Sequence, residues 1–295
     1  MKIKTQEIST LLLKEKGVRL FIKRIDLCHE YISGNKWYKL KYNLIEAKKV
    51  SCQTILTFGG AYSNHILATA VLAKKNGFNS IGIIRGEETL PLNPTLALAK
   101  KSQMKLYYIS RKEYLLKNND DFLCKMKKKF GDFYLIPEGG SNVLALKGTE
   151  EIIDSNDYQD YICCSIGTGT TIAGIINSSN ADQCIIGFPA IKGFNKSKTL
   201  IKELTNKNNY SFISGYEYGG YAKISTLLVD FINSFYTTHN IPLDAIYTGK
   251  MMSGVISLIS NNHFPFGSSV LVIHTGGLQG NKGMKERFNI SLPTV

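Results

Sequence analysis

Short runs of Val, Ile and Leu recur along this chain, and the stretches between them carry their apolar side chains at helical spacing. The runs predict strands over Thr54–Phe58, Ser80–Ile84, Lys105–Ser110, Phe133–Ile136, Tyr161–Ile166, Cys184–Phe188, Ser211–Ser214 and Ser269–His274. Helices are predicted over Asn64–Lys75, Thr95–Lys101, Thr149–Ser155, Thr171–Asn177, Ile224–Phe235 and Ser253–Ser260. Runs too continuous to alternate apolar with polar belong to strands covered on both faces. Strand–helix–strand repetition then predicts an α/β fold of open parallel sheets with helices on both faces. No proline-rich linker or internal repeat interrupts the chain, so any domain boundary must be a crossing between two packed sheets.

Open parallel sheets bind ligands beyond the carboxyl ends of their strands, which directs attention to the turns. Phe58-Gly59-Gly60-Ala61-Tyr62-Ser63-Asn64-His65 joins a predicted strand to a helix, with glycines that admit close approach and a Ser or Asn at the cap position. Ser165-Ile166-Gly167-Thr168-Gly169-Thr170-Thr171 does the same and suits a small monophosphate, or simply a structural turn; it has neither the P-loop lysine nor the dinucleotide spacing. Ala245-Ile246-Tyr247-Thr248-Gly249-Lys250 and Val272-Ile273-His274-Thr275-Gly276-Gly277 also follow strand-like residues. His65 and His274 read as structural side chains at a helix start and a strand end.

The run Ser33-Gly34-Asn35-Lys36-Trp37-Tyr38-Lys39-Leu40 puts two lysines three residues apart at a helix start. At that spacing both amines reach one cavity, one as a covalent partner and one as a counter-ion, unless the run is an ordinary surface turn. A reactive lysine suggests an aldehyde, the glycine–threonine turn one phosphate, and tyrosine a stacking face. Pyridoxal 5′-phosphate has all the matching parts.

Composition narrows the alternatives. The 295 residues are 43% hydrophobic and 20% charged, enough for a substantial core, and no run reaches the length of a membrane helix. The start of the chain lacks a secretory pattern, so the expected location is the cytoplasm, with no membrane partner. Cys28, Cys52, Cys124, Cys163, Cys164 and Cys184 show no C-x-x-C spacing and predict reduced thiols without a metal. The net charge of +13 raises nucleic acid as a partner, but its lysines are scattered, the densest group (Lys125 and Lys127 to Lys129) falling on a predicted helix. A nucleic-acid partner is therefore not expected.

The chain resembles the fold-type II pyridoxal-phosphate enzymes (tryptophan synthase β-like), and within them the 1-aminocyclopropane-1-carboxylate deaminase and D-cysteine desulfhydrase family. The motifs stand in order from Lys23-Arg24-Ile25-Asp26 and Gly34-Asn35-Lys36-x-x-Lys39-Leu40, through the Gly60–Asn64 turn, to Tyr247-Thr248-Gly249-Lys250 and His274-Thr275-Gly276-Gly277. The resemblance implies that Lys36 bonds the cofactor covalently, that Lys39 and Gly167, Thr168, Gly169, Thr170 and Thr171 hold its phosphate, and that Asn64 bonds its phenolic oxygen. Ser63 would handle the substrate carboxylate, Tyr247 would lie against the ring, and Tyr221 would be the second active-site tyrosine, with Tyr218 as the competitor. Thr248 and Thr275 stand where the deaminase pattern has glutamate and leucine, at the ring-nitrogen side. A neutral nitrogen suffices for β-elimination, so the expected activity is D-cysteine to pyruvate, ammonia and hydrogen sulfide. The alternatives are 1-aminocyclopropane-1-carboxylate deamination and a non-catalytic binder of the same cofactor. Residues 1–39 and 144–295 are expected to form a larger cofactor domain, 40–143 a smaller inserted one, and the protein a homodimer. Ala222-Lys223-Ile224 departs from the family's proline–asparagine segment, and His65-Ile66-Leu67 from its pattern after Ser63-Asn64.

Overall fold

The computed structural model describes residues 3–29, 31–32 and 34–294; Ser33, which opens the lysine run, lies outside them. Its strands are β1 (Thr5–Ile8), β2 (Arg19–Lys23), β3 (Thr54–Gly60), β4 (Asn79–Arg85), β5 (Met104–Ile109), β6 (Tyr134–Ile136), β7 (Tyr161–Ile166), β8 (Cys184–Pro189), β9 (Tyr210–Phe212) and β10 (Ser269–Ile273). They form two sheets, ordered β1-β2-β10-β7-β8-β9 and β5-β4-β3-β6. Among the described residues only the β1–β2 pair is antiparallel; every other pair is parallel, as continuous apolar runs require.

All eight strands predicted from the apolar runs are present, and the two that were not predicted have physical reasons. β1, Thr-Gln-Glu-Ile, buries only Ile8 and leaves no apolar signature. β2 ends on Lys23, a buried lysine that pairs with the equally buried Asp157, so a charge at a core position hides the strand. The expected helix over 149–155 is displaced: the helix is Val143–Thr149, and Ile152 and Ile153 enter the core from the turn that follows. Ala245 and Ile246 are not strand residues but the approach to a helix, Thr248–Ser260.

The large sheet is covered on both faces. One face holds Leu20, Ile22, Cys163, Val270 and Val272 against Leu228 and Ile232 of the Thr226–His239 helix and Met251, Met252 and Val255 of the Thr248–Ser260 helix. The other holds Ile162, Cys164, Ile185 and Leu271 against Ile172, Ile175 and Ile176 of the Thr170–Ser178 helix. Cys163 and Cys164 thus point to opposite faces and act as core hydrophobes, with burial raising both thiols, Cys164 to about 12. Each fully buried Ile or Leu contributes about 1.5–3 kcal/mol. Among the described residues no helix is long and apolar enough to cross a membrane, and no group of His, Cys, Asp and Glu side chains is arranged to hold a metal.

Candidate active site

Lys36 and Lys39 lie in the first turns of the Gly34–Lys49 helix, the segment that leads from the large sheet into the small one. Asn35 holds this start in place: its side-chain amide donates to Thr171 Oγ1 (2.9 Å) and its backbone N–H to Thr275 O (3.4 Å). One residue therefore ties the lysine turn to both the β7 and the β10 turns. Lys36 is half-buried, and burial alone pushes its amine down to about 8. About a tenth of it is then neutral at pH 7, whereas an ordinary lysine has almost none. Lys39 is fully buried, and burial together with the charge of Lys36 depresses its amine further.

Lys39 Nζ donates to Thr168 Oγ1 (3.2 Å) and Ser141 Oγ (3.3 Å), and Ser141 Oγ donates to Thr168 Oγ1 (2.7 Å). No carboxylate lies within ion-pair distance of Lys39 among the described residues. Gly169 (φ 102°) precedes the Thr170–Ser178 helix in a left-handed conformation that brings the N–H groups of its first turn to the same side. Thr170 Oγ1 there is buried with no hydrogen-bond partner. A buried ammonium, an orphaned hydroxyl and a positive helix end make an anion site in the β7 turn.

Ser63 caps the Asn64–Lys75 helix, its hydroxyl accepting from Ile66 N (3.3 Å). Asn64 Oδ1 accepts from Gln279 Nε2 (2.6 Å), which leaves its amide N–H₂ to donate. Gly277 (φ 96°) passes so close that a Cβ would stand 3.0 Å from Asn64 Nδ2. His65 is structural: it is buried, and its Nε2 lies 2.7 Å from Thr57 Oγ1, which itself donates to Ile136 O. Burial first, then the nearby lysines, hold its imidazole neutral.

Tyr247 packs beneath the β7 turn, where a Cβ on Gly167 would stand 3.2 Å from its Cε1. Burial raises its phenol well above the ordinary value. Tyr221 meets Tyr247 edge-on, ring centroids 6.4 Å apart, and is 44% exposed at the rim. Burial of its hydroxyl end raises its phenol, partly offset by the charge of Arg85 from the end of β4. Tyr218, the competitor, turns away to bond Ser253 Oγ (2.6 Å). Thr248 bonds to the residue that opens its own helix. Its hydroxyl donates to Asp244 Oδ1 (2.7 Å) and accepts from Asp244 N (2.9 Å), so its proton is not on offer to a ring nitrogen. Asp244 also takes the N–H groups of Ile246, Tyr247 and Thr248, which commits its charge to the helix start. Thr275 Oγ1 lies 3.4 Å from Ser165 Oγ at the β10 end.

Contacts thus link these turns at the carboxyl ends of the strands: Lys39 to Thr168, Asn35 beside Lys36 to Thr171 and Thr275, Gly277 to Asn64 beside Ser63, and Tyr247 to Gly167 and Tyr221. Sequence reading did not find Ser141, Gln279 or Asp244. Each is polar, buried or half-buried, and recognisable only by what it bonds across the fold.

No protein-family model matches the chain. A Pyrococcus abyssi protein provisionally named 1-aminocyclopropane-1-carboxylate deaminase is 31% identical over 288 residues, covering 90% of this chain and 87% of that protein. An Arabidopsis thaliana protein named bifunctional D-cysteine desulfhydrase/1-aminocyclopropane-1-carboxylate deaminase is 28% identical, covering 90% and 73%. The solved structure of an ACC deaminase homologue superposes with a TM-score of 0.83 at 28% identity, over 97% of this chain and 93% of that one. The residues present fit the family's cofactor: the buried Lys39 and the orphaned Thr170 hydroxyl want one phosphate, the depressed Lys36 amine wants an aldehyde, and the Asn64 amide wants an oxyanion. The chain belongs to the 1-aminocyclopropane-1-carboxylate deaminase and D-cysteine desulfhydrase family and is a pyridoxal-phosphate-dependent enzyme of fold type II.

Proposed function

We propose that the protein eliminates the β-substituent of a small D-amino acid, D-cysteine in the first place, giving pyruvate, ammonia and hydrogen sulfide. What supports the reading is the threonine pair: Thr248 and Thr275 stand where the resemblance expects the ring-nitrogen side, Thr248 is tied to Asp244, and that carboxylate is already taken by four donors. Pyridoxal phosphate supplies the electron sink that makes the hydrogen on an amino acid's α-carbon acidic.

The chain's own groups do the rest. Lys39, Thr168, Thr170 and Ser141 bind the phosphate, and the Asn64 amide holds the phenolic oxygen. Ser63 and the first N–H groups of the Asn64–Lys75 helix hold the substrate carboxylate. The Lys36 amine, neutral in useful amount because of burial, takes the proton from Cα. Tyr221, protonated at neutral pH, gives its proton to the sulfur leaving Cβ and is reprotonated from solvent at the rim.

Ring opening of 1-aminocyclopropane-1-carboxylate to 2-oxobutanoate and ammonia is the second reading, favoured by the name of the P. abyssi relative. A panel of D-cysteine, L-cysteine, D-serine and the cyclopropane amino acid separates them. Pyruvate with sulfide from D-cysteine supports the proposal; 2-oxobutanoate from the cyclopropane substrate with no sulfide from D-cysteine overturns it. The proposal places the protein in the cytoplasm as a homodimer, which sedimentation of the purified chain tests.

A further inference from the structure

Lys250 belongs to the Tyr247-Thr248-Gly249-Lys250 motif but has no part in the chemistry above. It is 1% exposed, among the largest fully buried side chains of the protein, and no carboxylate lies within ion-pair distance among the described residues. Its ammonium donates instead to two backbone carbonyls, Glu217 O (2.8 Å) and Gly220 O (2.7 Å). Each of those carbonyls already accepts one backbone N–H, from Gly220 (2.9 Å) and Lys223 (3.2 Å) respectively. Lys250 therefore fills the second lone pair of both and closes the Glu217–Lys223 turn onto the Thr248–Ser260 helix.

That turn is an improbable piece of backbone. Tyr218 (φ 46°) and Ala222 (φ 52°) are left-handed without being glycine, and Gly219 and Gly220 between them also have positive φ. Such conformations persist only where the surroundings over-determine them. The same helix supplies a second, weaker anchor in the Tyr218–Ser253 hydroxyl contact. What the turn carries is Tyr221, whose ring meets Tyr247 one helical turn before Lys250.

We infer that Lys250 is a positioning residue: by bonding Glu217 O and Gly220 O it fixes the strained turn, and so sets Tyr221 against Tyr247. This rests on the proposed role of Tyr221 as proton donor, and the test separates the two. Hydrogen exchange by mass spectrometry on the holoenzyme reads the turn itself. In Lys250→Met, exchange across residues 217–223 rises about tenfold or more, while the Asn64–Lys75 helix is unchanged. Tyr218→Phe, an isosteric change that keeps Lys250, raises it less. Unchanged exchange in Lys250→Met overturns the anchoring.

A double-mutant cycle on the amino acid turned over best reads the consequence. Tyr221→Phe and Lys250→Met each lower kcat by about 10²-fold with little change in KM, and the double variant is within about threefold of Tyr221→Phe alone. Losses that multiply contradict the inference. A Tyr221→Phe variant with full kcat removes the role of Tyr221 but leaves the exchange result to decide whether Lys250 holds the turn.

Discussion

Lys39 and Lys250 are both 1% exposed and both lack a carboxylate partner among the described residues, yet their two neighbourhoods differ in kind. Lys250 donates to two backbone carbonyls that the fold itself supplies, on the turn it closes. Lys39 meets only hydroxyls, at the end of a helix whose dipole adds to its charge rather than compensating it. One lysine serves the architecture, its partners being parts of the fold. The other is a standing electrostatic cost that an anion relieves. A buried cation is thus informative about binding when its partners are side-chain hydroxyls at a helix end rather than carbonyls of a turn it closes.

The sharpest break between the two is their removal. Lys39→Met should weaken pyridoxal phosphate binding by about 10²–10³-fold, since one partner of a buried charge pair is lost. The same change should raise the melting temperature of the apoprotein, because an uncompensated charge has gone. Lys250→Met should lower melting temperature with and without cofactor, by about 1–2 kcal/mol of stability, through the second hydrogen bond that each carbonyl loses. Cofactor titration by absorbance and calorimetric melts check both. A stabilising Lys250→Met or a destabilised Lys39→Met apoprotein would collapse the contrast.

The pH dependence of the apoprotein follows from the same charges. Lys36 and Lys250 titrate near 8 in the folded chain and near 10.5 when unfolded, and Lys39 is depressed as well. Between those values the unfolded chain binds the proton and the folded chain does not, so stability rises with pH from about 8 to about 10. Apoprotein melts across that window should show the rise. Lys36→Met should remove part of it, and cofactor-loaded protein should show less of it.

Much of this was readable in the sequence, and the limits of reading are physical. The parallel strands were legible because burial on both faces leaves continuous apolar runs. The Ser63-Asn64 and Gly167–Thr171 turns were legible because their working groups are consecutive residues. Ser141 and Gln279 were not, because they reach the site from 27 and 215 positions away from the residues they bond. Thr248 shows the converse: its place after Tyr247 suggests a group facing the ring, but Asp244 four residues earlier captures its hydroxyl. Lys250 sat in a visible motif, and only the fold brings it the turn 30 residues upstream that gives it a purpose.

Two smaller effects sharpen these distinctions. Thr248→Val should cost about 1–2 kcal/mol of stability through Asp244, with cofactor affinity nearly unchanged. If the cofactor's absorbance shifts instead, Thr248 faces the ring after all. Ser141→Ala should weaken cofactor binding by about fivefold, the worth of one hydrogen bond, without moving the apoprotein's melting temperature.

The central claim, that Lys36 is the amine joined to pyridoxal phosphate, is tested most directly by covalent capture. Purified protein loaded with the cofactor is reduced with borohydride, digested, and its labelled peptide sequenced by mass spectrometry. The account predicts one phosphopyridoxyl group, on Lys36, and none in Lys36→Ala. A label on any other lysine, or a fully loaded protein with Lys36 unmodified, would contradict it.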